Sequence, residues 1–125
     1  MNGVVLALPV ALGGGAGASL RLVVDSAIVR RWPHEIAIGT TVINVMGSFI
    51  AGVVVGGALA HGLSPTLRTI VVTGFCGGLT TWSTAMFETV RLIMSRRLLL
   101  AIGFGIGGLA VSVAAAIGGI FLVGA

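Results

Sequence analysis

Residues 73–84 combine the paired glycines Gly77 and Gly78 with five hydroxyl side chains, and no other stretch of the sequence is better suited to chemistry. Gly-Gly followed by β-branched threonines is a poor helix former, so we expect the helix to break near residues 77–80. At membrane depth, freed carbonyls persist only where they are buried in protein, line a cavity or coordinate an ion. Such oxygens suit a hard monovalent cation, while the helix restarting near Thr80 would offer N–H and hydroxyl donors to an anion. The alternative is a simple kink satisfied by the threonine side chains.

Asn44 is a second candidate, because it is a carboxamide in the middle of an uncharged apolar run. An amide without a partner in hydrocarbon is costly, so its side chain must find a partner or face water. Two interpretations stay open: a hydrogen bond to a neighbouring helix, or a donor that lines a polar path.

Glu88, Arg91 and Arg21 are charged candidates at or within the apolar runs. Glu88 and Arg91 are three residues apart, a spacing that places them on one helix face where they can pair locally. Arg21 stands near the end of a predicted helix. It either extends its guanidinium to the membrane interface or attracts anions into a vestibule, and the sequence leaves both interpretations open.

The composition indicates which elements must position these residues. Of 125 residues, 57% are hydrophobic and 21 are glycine, whereas 8% are charged, and the mean hydropathy is +1.19. A soluble domain carries about 25% charged residues. This composition excludes a water-soluble enzyme, a disordered chain and a nucleic-acid-binding domain. The net charge of +4 comes from seven arginines, without any lysine, against three acidic residues.

Four apolar runs predict an all-α membrane protein with four transmembrane helices and a broken third helix. A bilayer core about 30 Å thick needs roughly 20 helical residues per crossing. The predicted spans cover about residues 4–24, 36–60, 66–95 and 98–124 of a single domain, 1–125. Ser64 and Pro65 suit the N-cap and first position of the third helix. We expect the first span to be retained rather than cleaved, because no basic residue precedes it.

The arginines are distributed unevenly between the two membrane faces. Six of them lie on the face of the first and third connections: Arg21, Arg30, Arg31, Arg91, Arg96 and Arg97. Only Arg68 lies on the other face. The positive-inside rule therefore predicts that these two connections are cytoplasmic and that both chain termini are outside. If Arg21 and Arg91 are partly intramembrane and are not counted, the split becomes four to one and the predicted orientation is the same.

Small residues recur every four positions in two of the spans. In the second span they are Ser48, Gly52 and Gly56, and in the fourth span the pairs are Gly103 with Gly107 and Gly108 with Ser112. This spacing lets helix backbones approach closely in a membrane. It predicts helix contacts along both stripes.

Three segments resemble signatures of the CrcB/Fluc fluoride channel family. Residues 39–49, from Gly39 through Asn44 to Phe49, look like the second-helix signature, and residues 73–84 followed by Glu88 resemble the third-helix signature. The glycine-rich residues 13–18 leading to Arg21 are similar to the first-helix pattern. The resemblance extends over all four spans in length and order.

The resemblance implies a multi-pass protein of the bacterial inner membrane, surrounded by lipid, in which two four-helix subunits pack antiparallel and form two fluoride pores at their interface. Fluoride would leave the cytoplasm passively through these pores. The resemblance also implies a central Na⁺ ion held by the backbone carbonyls of Gly77 and Thr80, and it matches Arg21 to a vestibule arginine. The candidate pore residues are Asn44, Trp82, Ser83, Thr84 and Ser112.

The chain departs from the family pattern at one aromatic position. The family pores use two third-helix phenylalanines whose ring edges, the positive side of an aromatic ring, face the anion. The matching positions here are Trp82 and Ala85, and the nearby Phe87 lies on a different helix face. Because the arginine bias also favours a single orientation, we hypothesise that this chain pairs with an oppositely oriented paralogue that supplies standard phenylalanines.

Two other functions are compatible with four short spans. A small drug or cation antiporter subunit needs a membrane-embedded carboxylate, but the first span has none before Asp25, and Glu88 lies beside Arg91. A non-conducting structural subunit of a heterodimeric fluoride channel is the second alternative, suggested by Ala85. The sequence offers no nucleophile–base pair, metal cluster or phosphate loop, so we do not expect an enzyme.

Overall fold

The computed structural model describes residues 2–32 and 37–124, and every regular element in these two ranges is helical. Four helices there are long and apolar enough to cross a membrane: Gly3–Arg31, Ile38–His61, Pro65–Met94 and Leu98–Gly124. The predicted all-α, four-span fold class is therefore confirmed. The first helix continues seven residues beyond its predicted end at residue 24, while the predicted start of the second span at residue 36 lies outside the described ranges.

The first two spans are single helices, and the last two are built from shorter segments. Helix α1 is Gly3–Arg31 and α2 is Ile38–His61. The third span consists of α3 (Pro65–Arg68), a π-helical segment Thr69–Cys76, α4 (Gly77–Leu79) and α5 (Trp82–Met94). The fourth consists of α6 (Leu98–Ile102), a π-helical segment Gly103–Gly107 and α7 (Gly108–Gly124).

Local sequence signals explain where these helices begin and end. The Asn2 side chain accepts a hydrogen bond from the Val5 N–H at 2.9 Å and caps α1. Helix α2 ends at Gly62, whose φ of 66° is the left-handed conformation that favours glycine. The Ser64 hydroxyl then accepts from the Thr66 N–H at 3.2 Å with Pro65 as the first helical residue, which confirms the predicted start of the third span.

Glycines of the second span allow α2 to pack directly against α7. A Cβ atom at Gly52 would overlap the Ala116 carbonyl, and one at Gly56 would lie 2.6 Å from the Ile120 carbonyl oxygen. Since lipid supplies no hydrophobic force between helices, such close backbone packing is what holds them together. The predicted contact stripe on the second span is confirmed.

The predicted stripe on the fourth span is wrong at its first pair. Cβ atoms at Gly103 and Gly107 would meet nothing within 4 Å. Gly119 makes the close approach instead, because a Cβ atom there would lie 2.6 Å from the Phe49 carbonyl oxygen. The α2–α7 contact therefore lies toward the C-terminal end of the fourth span, away from the spacing that the sequence pattern emphasised.

Four glycines likewise join α1 to the N-terminal half of the third span. A Cβ atom at Gly17 would overlap the Phe75 carbonyl, and one at Gly78 would overlap the Gly14 carbonyl. Gly13 and Gly74 make similar approaches to backbone atoms of the opposite helix. The two halves of the third span have different neighbours, since α1 lies along residues 69–79, whereas α5 packs against α6 and the segment Gly103–Gly107.

Candidate functional site

The third span loses its helical geometry at Thr80 and Thr81. Thr80 has φ −82° and ψ 160°, and Thr81 has φ −147° and ψ 121°, so both residues are extended between α4 and α5. The sequence pattern predicted a break near residues 77–80, and the observed break lies at the C-terminal end of that range and one residue beyond it, because both glycines belong to α4 and Gly77 has φ −63° and ψ −37°. Gly78 is used for close packing on Gly14 rather than for conformational freedom.

Asn44 of α2 binds the backbone of Thr81 with both ends of its carboxamide. Its Nδ2 donates to the Thr81 carbonyl oxygen at 2.9 Å, and its Oδ1 accepts from the Thr81 N–H at 2.7 Å. Of the two interpretations of Asn44, the structure contains the interhelical hydrogen bond. A carboxamide has two N–H donors, so a second one remains for a group other than Thr81.

The Thr81 side chain caps α5. Its hydroxyl oxygen accepts from the Thr84 N–H at 3.2 Å, and the same hydroxyl donates to the Thr84 hydroxyl at 3.1 Å. The Ser83 hydroxyl oxygen lies 3.4 Å from the Thr81 hydroxyl oxygen. These bonds connect Ser83 and Thr84 to the break, although both residues are exposed on this single subunit.

The two carbonyls predicted to hold a cation have different surroundings. In a continuous α-helix the Gly77 carbonyl would accept from the N–H four residues later, but that N–H belongs to Thr81 and donates to Asn44. The Thr80 carbonyl oxygen lies 3.4 Å from the Arg21 guanidinium, which donates to it. The structure thus brings Arg21, Thr80 and Gly77 to one end of the break, with Gly77 exposed.

A groove of about 210 Å³ lies beside the break, between the second, third and fourth spans. Fourteen residues line it: Thr40, Thr41, Asn44, Ser48, Thr80, Thr81, Trp82, Ala85, Met86, Phe104, Gly105, Gly108, Leu109 and Ser112. The predicted residues Asn44, Thr80, Trp82 and Ser112 are among them, whereas Ser83, Thr84, Arg21 and Gly77 are not. The groove therefore presents a strip of hydroxyl and amide groups on a wall that is otherwise mostly apolar.

The sequence interpretation missed several groove residues, of which Thr41, Ser48 and Phe104 bear most on the site. Thr41 and Ser48 lie three residues before and four residues after Asn44, a spacing that places them on its helix face and could have identified them. Phe104 carried no such signal, because it stands alone among apolar residues. It also lines a neighbouring cavity of about 360 Å³, together with Thr41 and residues at the start of the fourth span.

Comparisons with known proteins connect this arrangement to a family. A family model described as CrcB-like protein, Camphor Resistance (CrcB), matches residues 8–120. The chain belongs to the CrcB family. The resemblance seen in the second- and third-helix motifs is thereby confirmed, and the chain is a multi-pass membrane protein.

Curated relatives within the CrcB family match most of the chain. A protein named fluoride-specific ion channel FluC 1 from Leifsonia xyli subsp. xyli is 47% identical over 117 residues, which are 94% of this chain and 85% of the relative. FluC 1 from Nocardia farcinica is 39% identical over 90% of this chain and 73% of its own length. FluC from Gloeothece citriformis is 34% identical over 93% of this chain and 94% of its own length.

Two aromatic side chains of this CrcB member line the groove with Ala85. Trp82 and Phe104 both line the groove with Ala85, and Trp82 is 66% exposed on the single subunit. Phe87 is 68% exposed and does not line the groove. The ring absent at position 85 is thus not replaced by Phe87, and the nearby ring on the groove wall comes from the fourth span.

Glu88 and Arg91 form the local pair that their spacing predicts. The Arg91 Nη2 and Nε atoms donate to the Glu88 Oε2 atom at 2.7 and 2.9 Å. Glu88 is not among the groove residues. Its negative charge is balanced within α5, away from the polar strip.

Proposed function

We propose that this chain is a subunit of a fluoride-selective channel through which fluoride leaves the cytoplasm passively. The observation that carries the proposal is its 47% identity, over 94% of the chain, to a protein named fluoride-specific ion channel FluC 1. The family match covers the same four spans. These relationships do not favour the antiporter alternative.

The polar groove supplies the donors that a small anion needs when it leaves water. Hydroxyls of Thr41, Ser48 and Ser112 line it, and Asn44 has one N–H beyond the one it gives to Thr81. Helix α5 also begins at the groove, where its N-terminal N–H groups carry partial positive charge. We propose that fluoride moves along this strip, and that the ring edges of Trp82 and Phe104 contribute further positive potential.

A Na⁺ ion at the break is the second part of the proposal. The Gly77 carbonyl, whose helical donor is diverted to Asn44, is a suitable hard oxygen ligand for a monovalent cation. The Thr80 carbonyl would be a second ligand, although Arg21 donates to it in the single subunit. A bound Na⁺ would place a fixed positive charge near the anion path, and Arg21 adds to the same field from α1.

An antiparallel dimer is the third part of the proposal. The exposed residues of the broken third span include Gly77, Ser83 and Thr84, which are poor groups to present to lipid. A second subunit packed on this face would cover them and would close the groove into a pore. Because the sequence pattern assigns Arg30, Arg31, Arg96 and Arg97 to one membrane face and only Arg68 to the other, the proposed partner is a paralogue with the opposite bias.

Fluoride efflux from liposomes tests the channel directly. We expect liposomes containing this chain together with an oppositely biased paralogue to release fluoride rapidly while retaining chloride. The chain purified alone should conduct less, since one sequence with a strong charge bias inserts mainly one way. The readout is the fluoride concentration outside the liposomes, measured with an electrode. Efflux is started by adding a K⁺ ionophore, so that K⁺ leaves with fluoride and no membrane potential builds up.

Each other outcome of the efflux experiment has a defined meaning. A stable antiparallel homodimer with full fluoride flux would contradict the paralogue partner and leave the channel intact. Fluoride retention in both preparations would contradict the channel. Saturable, proton-coupled efflux of organic cations would support the antiporter instead.

The Ala85→Phe variant separates a conducting subunit from a purely structural one. A ring edge added at the groove should stabilise the passing anion and raise fluoride flux roughly 2- to 12-fold, the equivalent of about 0.5–1.5 kcal/mol. The matched control is Ala110→Phe, which adds the same ring at an exposed position of α7 outside the groove. If neither variant changes the flux, the groove of this subunit does not conduct.

A further inference from the structure

One side chain of α2 binds the extended residue Thr81 at the break of the third span. Asn44 is bonded to both the N–H and the carbonyl of Thr81, at 2.7 and 2.9 Å. We infer that Asn44 is a positioning residue, which acts through the Thr81 backbone to keep the third span broken and so maintains the conducting arrangement. This inference rests on the proposed channel function.

The alternative conformation of this segment is a continuous helix. In that helix the Thr81 N–H would donate to the Gly77 carbonyl, and the chain would satisfy its own backbone without help from α2. That solution is strongly favoured in a bilayer, where no water is available to replace a missing partner. The extended conformation of Thr81 therefore requires a partner that accepts from its N–H and donates to its carbonyl at the same time.

A carboxamide meets this requirement from a single side chain at every pH. An ionised carboxylate accepts but does not donate, a carboxyl group donates only while it is protonated, and a hydroxyl has one proton on one atom. Glutamine carries the same groups on a longer stem, which would displace them from Thr81. The approach of α2 to the break also depends on Gly47, because a Cβ atom there would overlap the Thr80 methyl group.

Three groups of the proposed pathway depend on the extended Thr81. Because the Thr81 N–H donates to Asn44, the Gly77 carbonyl has lost the donor that it would have in a continuous helix. The Thr81 hydroxyl caps α5 through the Thr84 N–H at 3.2 Å, a bond that requires a non-helical N-cap backbone. The N-terminus of α5 lies at the groove only while α4 and α5 stay separate. Loss of Asn44 would thus affect three features together: the Gly77 carbonyl proposed to bind Na⁺, the cap at the start of α5, and the N–H groups that α5 presents to the groove.

Selective threonine labelling reports on this backbone directly. With carbon-13 at threonine carbonyls and nitrogen-15 at threonine amides, a correlation between an amide and the preceding carbonyl arises only at consecutive threonines. The sequence has two such pairs, residues 40–41 and residues 80–81. The first pair lies inside α2 and the second is the extended segment. The spectrum therefore contains the probe and a helical reference in one molecule.

Asn44→Ala is the test variant. We expect the residue 80–81 peak to move toward helical chemical shifts while the residue 40–41 peak keeps its helical position. Fluoride efflux should fall roughly 10- to 100-fold, the range for loss of a positioning partner. Asn44→Leu, which has a similar volume but neither a donor nor an acceptor, should behave in the same way. The matched control Val42→Ala, on α2 outside the groove, should change neither peak nor flux.

Two combinations would overturn the inference. If flux falls while the residue 80–81 peak stays extended, Asn44 acts on the ion itself and not through Thr81. If the peak moves and the flux is retained, the break is not needed for conduction. Failure of the wild-type chain to conduct with any partner is a different result, because it contradicts the proposed function and leaves the chemical shifts unaffected.

A measurement on the wild-type chain tests the inference even if the Asn44 variants do not fold. The chain has only two asparagines, Asn2 and Asn44, so nitrogen-15 in asparagine side chains gives two assignable signals. Magnetisation transfer from the Asn44 Nδ2 atom to the labelled Thr81 carbonyl is expected in bilayers, and the Asn2 signal should show none. Absence of this transfer in the conducting wild-type channel would also overturn the inference.

Discussion

Replacing Gly78 with alanine is expected to destabilise the folded chain by about 1–3 kcal/mol or more, whereas the same substitution at Gly77 is expected to be neutral or stabilising. A Cβ atom at Gly78 would overlap the carbonyl group of Gly14, and neither backbone can rotate away from the contact. A Cβ atom at Gly77 would meet only the Val72 carbonyl oxygen, at an ordinary 3.8 Å. Since both residues are helical, each substitution gains about 0.5–1 kcal/mol of helix propensity, which the contact at Gly78 outweighs.

Denaturant unfolding of the purified chain in one detergent measures this contrast. The two variants differ by one position and add the same methyl group, so differences in expression or micelle binding largely cancel. A clear loss of unfolding free energy for Gly78→Ala and none for Gly77→Ala would establish that the two glycines have separate roles. Equal losses would contradict the α1 contact at Gly78.

Gly47→Leu is expected to reduce fluoride efflux to the background of protein-free liposomes. The new side chain would displace the Thr80 methyl group and crowd the Leu79 Cδ2 atom, which lies 3.6 Å from the Cβ position. The extended segment would move away from α2, and Asn44 would lose both bonds to Thr81. The physical cause is steric, so the loss should not depend on fluoride concentration or ionic strength.

A second glycine provides the control for this variant. Gly118 lies on α7, and a Cβ atom there would meet nothing within 4 Å. Gly118→Leu should therefore insert, assemble and conduct like the wild type. Comparable elution volumes and helical circular dichroism for both variants would show that the lost flux is local. Full flux in Gly47→Leu would mean that conduction does not need the contact between Thr80 and α2.

The four spans could be predicted because membrane insertion depends on the sum of local hydropathy. The start of the third span at Ser64 and Pro65 could also be predicted, because an N-cap is recognised from adjacent residues in the sequence. The continuation of α1 through residues 25–31 was missed, because four of these seven residues are polar or charged and lower the local hydropathy. Hydropathy marks where a helix leaves the hydrocarbon, and a helix does not have to end there.

The position of the break depends on contacts between distant residues. Helix propensity favoured the paired glycines, but Gly78 is held in a helix against Gly14, and Thr81 is drawn out of the helix by Asn44. Neither contact is visible in a local sequence window. For the same reason, the sequence did not predict that Phe104 lines the groove together with Ala85, which depends on how the fourth span packs.

The candidate site was predicted in part. Asn44, Trp82 and Ser112 lie together on the groove wall, whereas the side chains of Ser83 and Thr84 are joined to the Thr81 hydroxyl and exposed. Residue type identified which groups are polar at membrane depth. It did not distinguish those that face the groove from those that cap a helix, because consecutive residues after a break point in different directions.

The pair of bonds between Asn44 and Thr81 also fixes the axial register of the second and third spans. Glycine-lined helices slide easily against each other, because a smooth surface has few features that distinguish one offset from the next. A shift of a single residue moves a helix by about 1.5 Å along its axis, enough to break both bonds at once. A buried asparagine sets register in coiled coils in a comparable way. One carboxamide therefore selects a single alignment of the second span against the third, where the other close contact joins Gly47 to the Thr80 methyl group.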